Sequence, residues 1–275
     1  MQSIAETAGI LFYRNECCAI IDEYLFKKIS FFPDRSTLSM RGDSGDHKTV
    51  MIKEDALNIP VMNTSAVFGG VPGDAELFGV TPEQRKPSLL LHACCGPCST
   101  SCVERLAPDY QITVYYYNPN ITDREEYYLR RDTLLQFIRA FNEEHKDAFY
   151  VGYLEGEYEP GRFIEKCGPL ADEPEGGARC DLCFAMRMAE TARKAGEVGA
   201  DYFTTTMSVS PHKNYDKIRT LCMSLEEHTS SRYLDVDFKK QNGFGRSVEM
   251  SKQYGLYRQN FCGCDYARAQ MKPHK

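Results

Sequence analysis

SLLLHACCGPCSTSC, residues 88–102, is the stretch that decides the fold. Leu89-Leu90-Leu91 is an apolar run that reads as a short strand, Leu89–Ala93. The chain then turns through Cys94-Cys95-Gly96-Pro97-Cys98 and enters a helical pattern over Ser101–Leu106. Strand, turn and helix within fifteen residues, with cysteines at 94, 95, 98 and 102, pose one question: thiol–disulfide exchange, or a metal held by thiolates.

The alternation continues downstream. Ile112–Tyr117, Phe149–Leu154, Tyr202–Ser208 and Tyr233–Val236 read as further strands. Helical patterns fall at Arg124–Glu144, Arg162–Lys166, Leu182–Val198, Lys213–Glu227, Ser247–Tyr254 and Asp265–Gln270. This spacing predicts an α/β fold, a mostly parallel, helix-flanked (Rossmann-like) sheet with cysteine clusters at the carboxyl ends of its strands. Ligands gather at that edge, where Cys94, Asn118 and the segment after Thr206 would lie. Residues 1–86 lack the alternation and are read as an N-terminal extension of uncertain order, with one amphipathic segment near Cys18–Ile29 and a Cys17-Cys18 pair assigned to packing. Residues 87–275 are expected to form the domain that carries the function.

Composition bounds the function. No stretch approaches 18 uninterrupted apolar residues, so no spanning helix and no membrane partner are expected. The opening residues, MQSIAETAGILFYRNECC, lack the basic segment of a signal peptide, which predicts a cytoplasmic protein. Twelve cysteines in a reducing compartment point to metal ligands or redox catalysis rather than structural bridges. The net charge of −6 argues against a generally basic nucleic-acid binder. Yet Lys239–Lys275 carries eight basic residues against two acidic ones, so one stretch is strongly positive. No Gly-rich loop ending in Lys-Ser/Thr is present, and ATP is not implied.

Three cysteine constellations carry the chemistry. Cys94, Cys95 and Cys98 stand at the strand-to-helix turn; Cys180 and Cys183 open a helix behind Arg179; Cys262-Gly263-Cys264 lies near the C-terminus. A helix N-terminus and an adjacent Arg both favour thiolate. A thioredoxin-like exchanger needs only one Cys-x-x-Cys, would be expected to carry Trp before it, and leaves the other clusters surplus; this chain has no Trp. A zinc-stabilised RNA-binding module accounts for four thiols but leaves Cys262 and Cys264 without a task. An iron–sulfur cluster needs four converging thiolates, which two pairs on one side of a parallel sheet can supply. A Cys-Gly-Cys disulfide is a small strained ring of the labile, catalytic kind.

HACCGPCS, YYYNPNI at Tyr115–Ile121 with Glu126-Tyr127 and Arg130-Arg131, RCDLCFAMRM, TTTMSVSPHKN at Thr204–Asn214, and NFCGC together resemble the QueH family of epoxyqueuosine reductases, from about Leu89 to Ala267. The resemblance implies removal of the epoxide oxygen from epoxyqueuosine at the wobble position of tRNA, the last step of queuosine biosynthesis. It implies a [4Fe–4S] cluster on Cys94, Cys95, Cys180 and Cys183. Cys98 could ligate, stand as a nearby thiol, or help bind a second, mononuclear iron, with Asp181 as its partner. Opening an epoxide to an alkene and water takes two electrons and two protons, so Cys262 and Cys264 are read as a redox-active relay and the electron donor stays unidentified. Asp181, Tyr117 and His212 are candidate proton donors. His92 is read as packed or ligand-supporting, Asn118 as a base contact or a loop start, and Glu126, Arg130 and Arg131 as a helix-surface charge pattern. The basic stretch from Lys239 is expected to dock tRNA.

Overall fold

Leu89, Leu90 and Leu91 are fully buried, and they alternate between two apolar layers as a strand's period of two requires. Leu90 faces one layer with Tyr115, Phe203 and Met188. Leu89 and Leu91 face the other with Val103, Val114, Leu134 and Phe137. A strand covered on both sides reads as a continuous apolar run, which is why the pattern is LLL rather than an alternation.

The computed structural model describes residues 85–270. The readings made for Cys17-Cys18 and Cys18–Ile29, and for Lys272 and Lys275, lie outside the described residues. The elements run β1 (Ser88–His92), α1 (Gly96–Leu106), β2 (Gln111–Tyr116), α2 (Arg124–Glu144), β3 (Gly152–Glu155), α3 (Pro160–Cys167), α4 (Ala178–Glu197), β4 (Tyr202–Thr205), α5 (Tyr215–Glu226), β5 (Arg232–Tyr233), α6 (Gly243–Gln253) and α7 (Asp265–Gln270). The five strands form one parallel sheet in the order β3-β2-β1-β4-β5, with Leu89 opposite Ile112 on one side and Tyr202 on the other. The expected α/β, helix-flanked parallel sheet is what forms. The strand order reverses between β1 and β4, so the crevice beyond their carboxyl ends is the natural ligand position. Cys94 and Cys95 follow β1 directly into it.

Several boundaries moved for local reasons. The helix expected from Ser101 starts at Gly96, because Pro97 is tolerated in a first turn. Gly96 is required there: a Cβ would meet the Thr133 carbonyl oxygen at 2.9 Å where α1 crosses α2. The helix expected from Leu182 starts at Ala178, which places Cys180 and Cys183 three residues apart on one face of α4. β4 stops at Thr205, whose hydroxyl accepts the Met207 N–H and turns the chain into a short 3₁₀ helix, Thr206–Val209. β3 begins only at Gly152, since the Asn142 amide takes both backbone groups of Val151.

Candidate metal centre

At the carboxyl end of β1, the sulfurs of Cys94, Cys95 and Cys98 lie within 4.8 Å of one another. Cys94 Sγ and Cys95 Sγ are 4.0 Å apart. Three thiols converge because β1 delivers Cys94 and Cys95 in an extended backbone and α1 returns Cys98 one turn later. Among the described residues no side chain caps α1, so its first-turn amides and positive dipole end add to the field at these sulfurs. Within the trio Cys94 ionises most readily: hydrogen bonding with Cys95 and Cys98 holds its thiol well below the usual range, with Arg187 helping against burial. Cys95 and Cys98 are pushed up by the same hydrogen bonds and by burial.

Cys180 and Cys183 stand on the first turns of α4, each 7% exposed, in the apolar group that also holds Cys167 and Cys264. They do not join the trio within its 4.8 Å span; Cys98 does. Burial pushes Cys183 up to about 12, and the Arg187 guanidinium opposes that rise. The Cys180 sulfur accepts the Gly176 N–H at 3.3 Å.

Arg187 joins the two groups. It lies one helical turn beyond Cys183, is 2% exposed, and donates from Nη2 to Asn118 Oδ1 at 2.8 Å. Burial works against its charge, and Cys183, Cys94 and Cys262 offset that penalty. Its Nε has no hydrogen-bond partner among the described residues. A buried guanidinium facing thiols, with a donor unspent, suits a site that carries negative charge. Asn118, left open by the sequence, is fully buried: its Nδ2 ties back to the Ala93 carbonyl while its oxygen holds Arg187.

His92 packs beneath the site. Its Nε2 lies 3.1 Å from the Tyr117 carbonyl, which can only accept, so Nδ1 takes the Thr205 hydroxyl at 2.9 Å. Burial and the Arg187 charge lower its pKa to about 3, so it is a packed, neutral histidine.

The candidate proton donors part company. Asp181 accepts from Lys217 Nζ with both carboxylate oxygens, at 2.9 and 3.0 Å. Tyr117 is buried and its hydroxyl goes to Glu159 at 3.2 Å, toward a pocket of about 260 Å³. His212 is exposed, and it is the next residue, Lys213, that reaches a cysteine: its Nζ donates to Cys262 Sγ at 3.2 Å. In the Ser-Pro-His-Lys stretch of this loop the cation, not the imidazole, contacts the cysteine.

Arg179, read as a charge beside the thiols, is 1% exposed and spends Nη1 on the carbonyls of Leu170, Ala171 and Glu173, while its charge opposes the rise that burial gives Cys167 and Cys264. Glu126 and Arg130, read as a surface pattern, are buried at 7% and 1% exposure. Arg130 pairs with Glu126 at 2.6 Å and donates to the carbonyls of Cys262 and Phe261 at 3.1 and 3.2 Å. Gly263 has φ +109°, and a Cβ there would meet Ile121 at 2.9 Å and Arg130 at 3.0 Å, so only glycine fits this turn.

The basic stretch is partly spent. Arg246 forks onto Glu104 at 2.6 and 2.9 Å, Arg268 reaches Asp123 at 3.2 Å, and Lys239 donates to the Lys213 carbonyl at 2.8 Å. Lys240, Lys252 and Arg258 are exposed, and Arg258 lies over the exposed Phe244 ring at 5.2 Å.

No helix among the described residues is long and apolar enough to cross a membrane. A family model described as epoxyqueuosine reductase QueH matches residues 89–270. A protein of that name from Streptococcus pyogenes serotype M1 is 44% identical over 185 residues, covering 67% of this chain and 72% of the relative. One from Staphylococcus epidermidis is 43% identical over 184 residues, 66% of this chain and 76% of the relative. One from Thermotoga maritima is 30% identical over 183 residues, 66% of this chain and 90% of the relative.

Proposed function

The chain belongs to the QueH family of epoxyqueuosine reductases, and from that premise we propose that it reduces epoxyqueuosine to queuosine in the wobble position of tRNA with an iron–sulfur centre and the Cys262/Cys264 pair. An oxidoreductase role in queuosine biosynthesis follows from the family itself. We assign catalysis to residues 87–275, a range supported by the family match over 89–270. The observation that carries the iron–sulfur reading is the Cys94, Cys95 and Cys98 trio at the sheet's switch point, facing a buried guanidinium that also faces Cys183.

The donor chemistry suits the group, since iron–sulfur centres are held by thiolates. Cys94, Cys95, Cys180 and Cys183 are its proposed ligands, all thiols, with Arg187 as buried countercharge. A [4Fe–4S] cluster held there supplies electrons singly. Cys98, drawn close to Cys94 and Cys95, is the thiol proposed to hold a second iron.

The chain's own residues do the rest. Reduction breaks both carbon–oxygen bonds of the epoxide, forms the alkene, and releases the oxygen as water after it takes two protons. Asp181 is the proposed proton donor, with the Lys217 ammonium behind it as its source. Cys262 and Cys264 cycle between dithiol and disulfide and so deliver electrons in pairs, matching the two the epoxide takes. The donor that reduces them again is external. Unstacked in a single-stranded loop, the wobble base can be presented to the crevice while Lys240, Lys252 and Arg258 hold backbone phosphates.

Anaerobic purification followed by iron and acid-labile sulfide analysis tests this reading. Iron with sulfide supports it. Zinc without sulfide returns the chain to a zinc-stabilised RNA-binding module, and a metal-free protein that reduces insulin-type disulfides returns it to a thioredoxin-like exchanger.

A further inference from the structure

The two sulfurs of Cys262-Gly263-Cys264 have different surroundings. Cys264 is 5% exposed, packs in the apolar group with Cys167 and Cys180, and accepts the Ala267 N–H at 3.4 Å. Burial raises its pKa, and the neighbouring Cys262 adds to that rise. Cys262 is half-buried, and its sulfur takes the Lys213 ammonium at 3.2 Å.

Lys213 is fixed in that position. Its side chain is 11% exposed, with Glu175 Oε1 at 3.3 Å and the Phe184 ring at 5.8 Å. Its N–H donates to the Ser210 carbonyl, and its own carbonyl accepts from Lys239. Burial disfavours the ammonium, yet the Cys262 sulfur opposite raises its pKa above the usual lysine value. Two contacts fix the turn that separates the two sulfurs: Arg130 donates to the carbonyls of Phe261 and Cys262, and Gly263 packs so close to Ile121 that a Cβ would lie 2.9 Å from it.

We infer that the pair has a direction: a dithiol reductant enters at Cys262, Cys264 is the buried resolving sulfur, and Lys213 is the positioning residue that stabilises charge on Cys262. This rests on the reading of the pair as the enzyme's redox relay. A donor thiolate bonds to Cys262 Sγ, the Cys262–Cys264 bond breaks, and Cys264 leaves with the electron pair and takes a proton. The donor's second thiolate then attacks its own bonded sulfur, and Cys262 departs with its electron pair and is protonated in turn. The donor ends as a disulfide, having given two electrons and two protons; the protein ends with two thiols. Access decides the first step, since Cys264 is covered. Lys213 assists the second, because a stabilised thiolate leaves faster.

The test is mixed-disulfide formation with dithionitrobenzoate on the full-length, metal-loaded protein under anaerobic conditions, mapped by peptide mass. Cys262 in the Cys264→Ser variant is expected to react at least about tenfold faster than Cys264 in the Cys262→Ser variant. Lys213→Met, added to Cys264→Ser, is expected to slow Cys262 by about tenfold, and Lys213→Arg to restore most of the rate. Equal rates at the two cysteines, or a faster Cys264, overturn the direction; an unchanged rate in Lys213→Met overturns the part given to Lys213. Iron and sulfide measured in each variant separate loss of the metal centre from loss of positioning. Should Lys213→Met fail to fold, Lys213→Gln takes its place, and the two-cysteine comparison decides the direction alone. Epoxyqueuosine conversion by the unmodified protein distinguishes failure of this inference from failure of the functional reading beneath it.

Discussion

Arg130 Nη1 donates to the carbonyl of Cys262 at 3.1 Å, across 132 positions of sequence. The guanidinium is neutralised on its other side by Glu126, one helical turn earlier, whose carboxylate also takes the Tyr257 hydroxyl at 3.0 Å. A charge pair buried in α2 thus fixes the backbone of the Cys-Gly-Cys turn. Over the guanidinium lies the Phe261 ring, 4.9 Å from its carbon, which closes the clamp.

Replacing one partner of such a pair strands the other. Arg130→Met leaves the Glu126 carboxylate buried without countercharge and is expected to lower stability by about 3–5 kcal/mol. Adding Glu126→Gln to Arg130→Met is expected to recover part of that loss. Denaturant titration of the single and double variants checks both statements.

In the sequence alone that clamp is invisible. A Glu and an Arg four residues apart look the same on paper whether the helix face is wet or buried. Only the docking of Phe261–Cys264 against α2 turns Glu126 and Arg130 inward. Arg187 and Lys213 escaped for the same reason, since each acquires its meaning from sulfurs on other segments. The sheet was legible because a doubly buried strand writes its own signature in Leu89–Leu91, and the turn after it is dense with cysteine. Helix starts were less so: Pro97 and Gly177 look like breakers, but both stand where helices begin.

The proposed metal centre makes a graded prediction. Cys94→Ala, Cys95→Ala, Cys180→Ala and Cys183→Ala are each expected to lower iron and sulfide together, since losing one of the four proposed thiolate ligands would open the centre. Cys98→Ala is expected to keep sulfide while lowering iron, the mark of a separate iron site. Parallel loss of both in Cys98→Ala would place that sulfur among the ligands of the centre itself.

Cys262→Ser and Cys264→Ser should retain visible absorption and full sulfide but lose turnover, because a relay with one thiol cannot form or open a disulfide. Turnover assayed beside the absorption spectrum decides it, and normal turnover in both variants removes the pair from the mechanism.

For tRNA, Lys240, Lys252 and Arg258 changed together to Gln should weaken binding and flatten its salt dependence, by roughly 0.7 to 0.9 in slope per lost contact. Arg246→Gln should do less, since Glu104 already neutralises that guanidinium. Binding titrations at several salt concentrations read both. An unchanged slope in the triple variant would move the docking surface elsewhere.

The central claim is a single chemical conversion. Full-length protein, loaded with iron and sulfide and supplied with a chemical reductant without oxygen, is incubated with tRNA carrying epoxyqueuosine, and the nucleosides are released and weighed by mass spectrometry. The account predicts a product lighter by one oxygen atom, queuosine, appearing as epoxyqueuosine disappears. Epoxyqueuosine left intact by protein that holds its full iron and sulfide would contradict it.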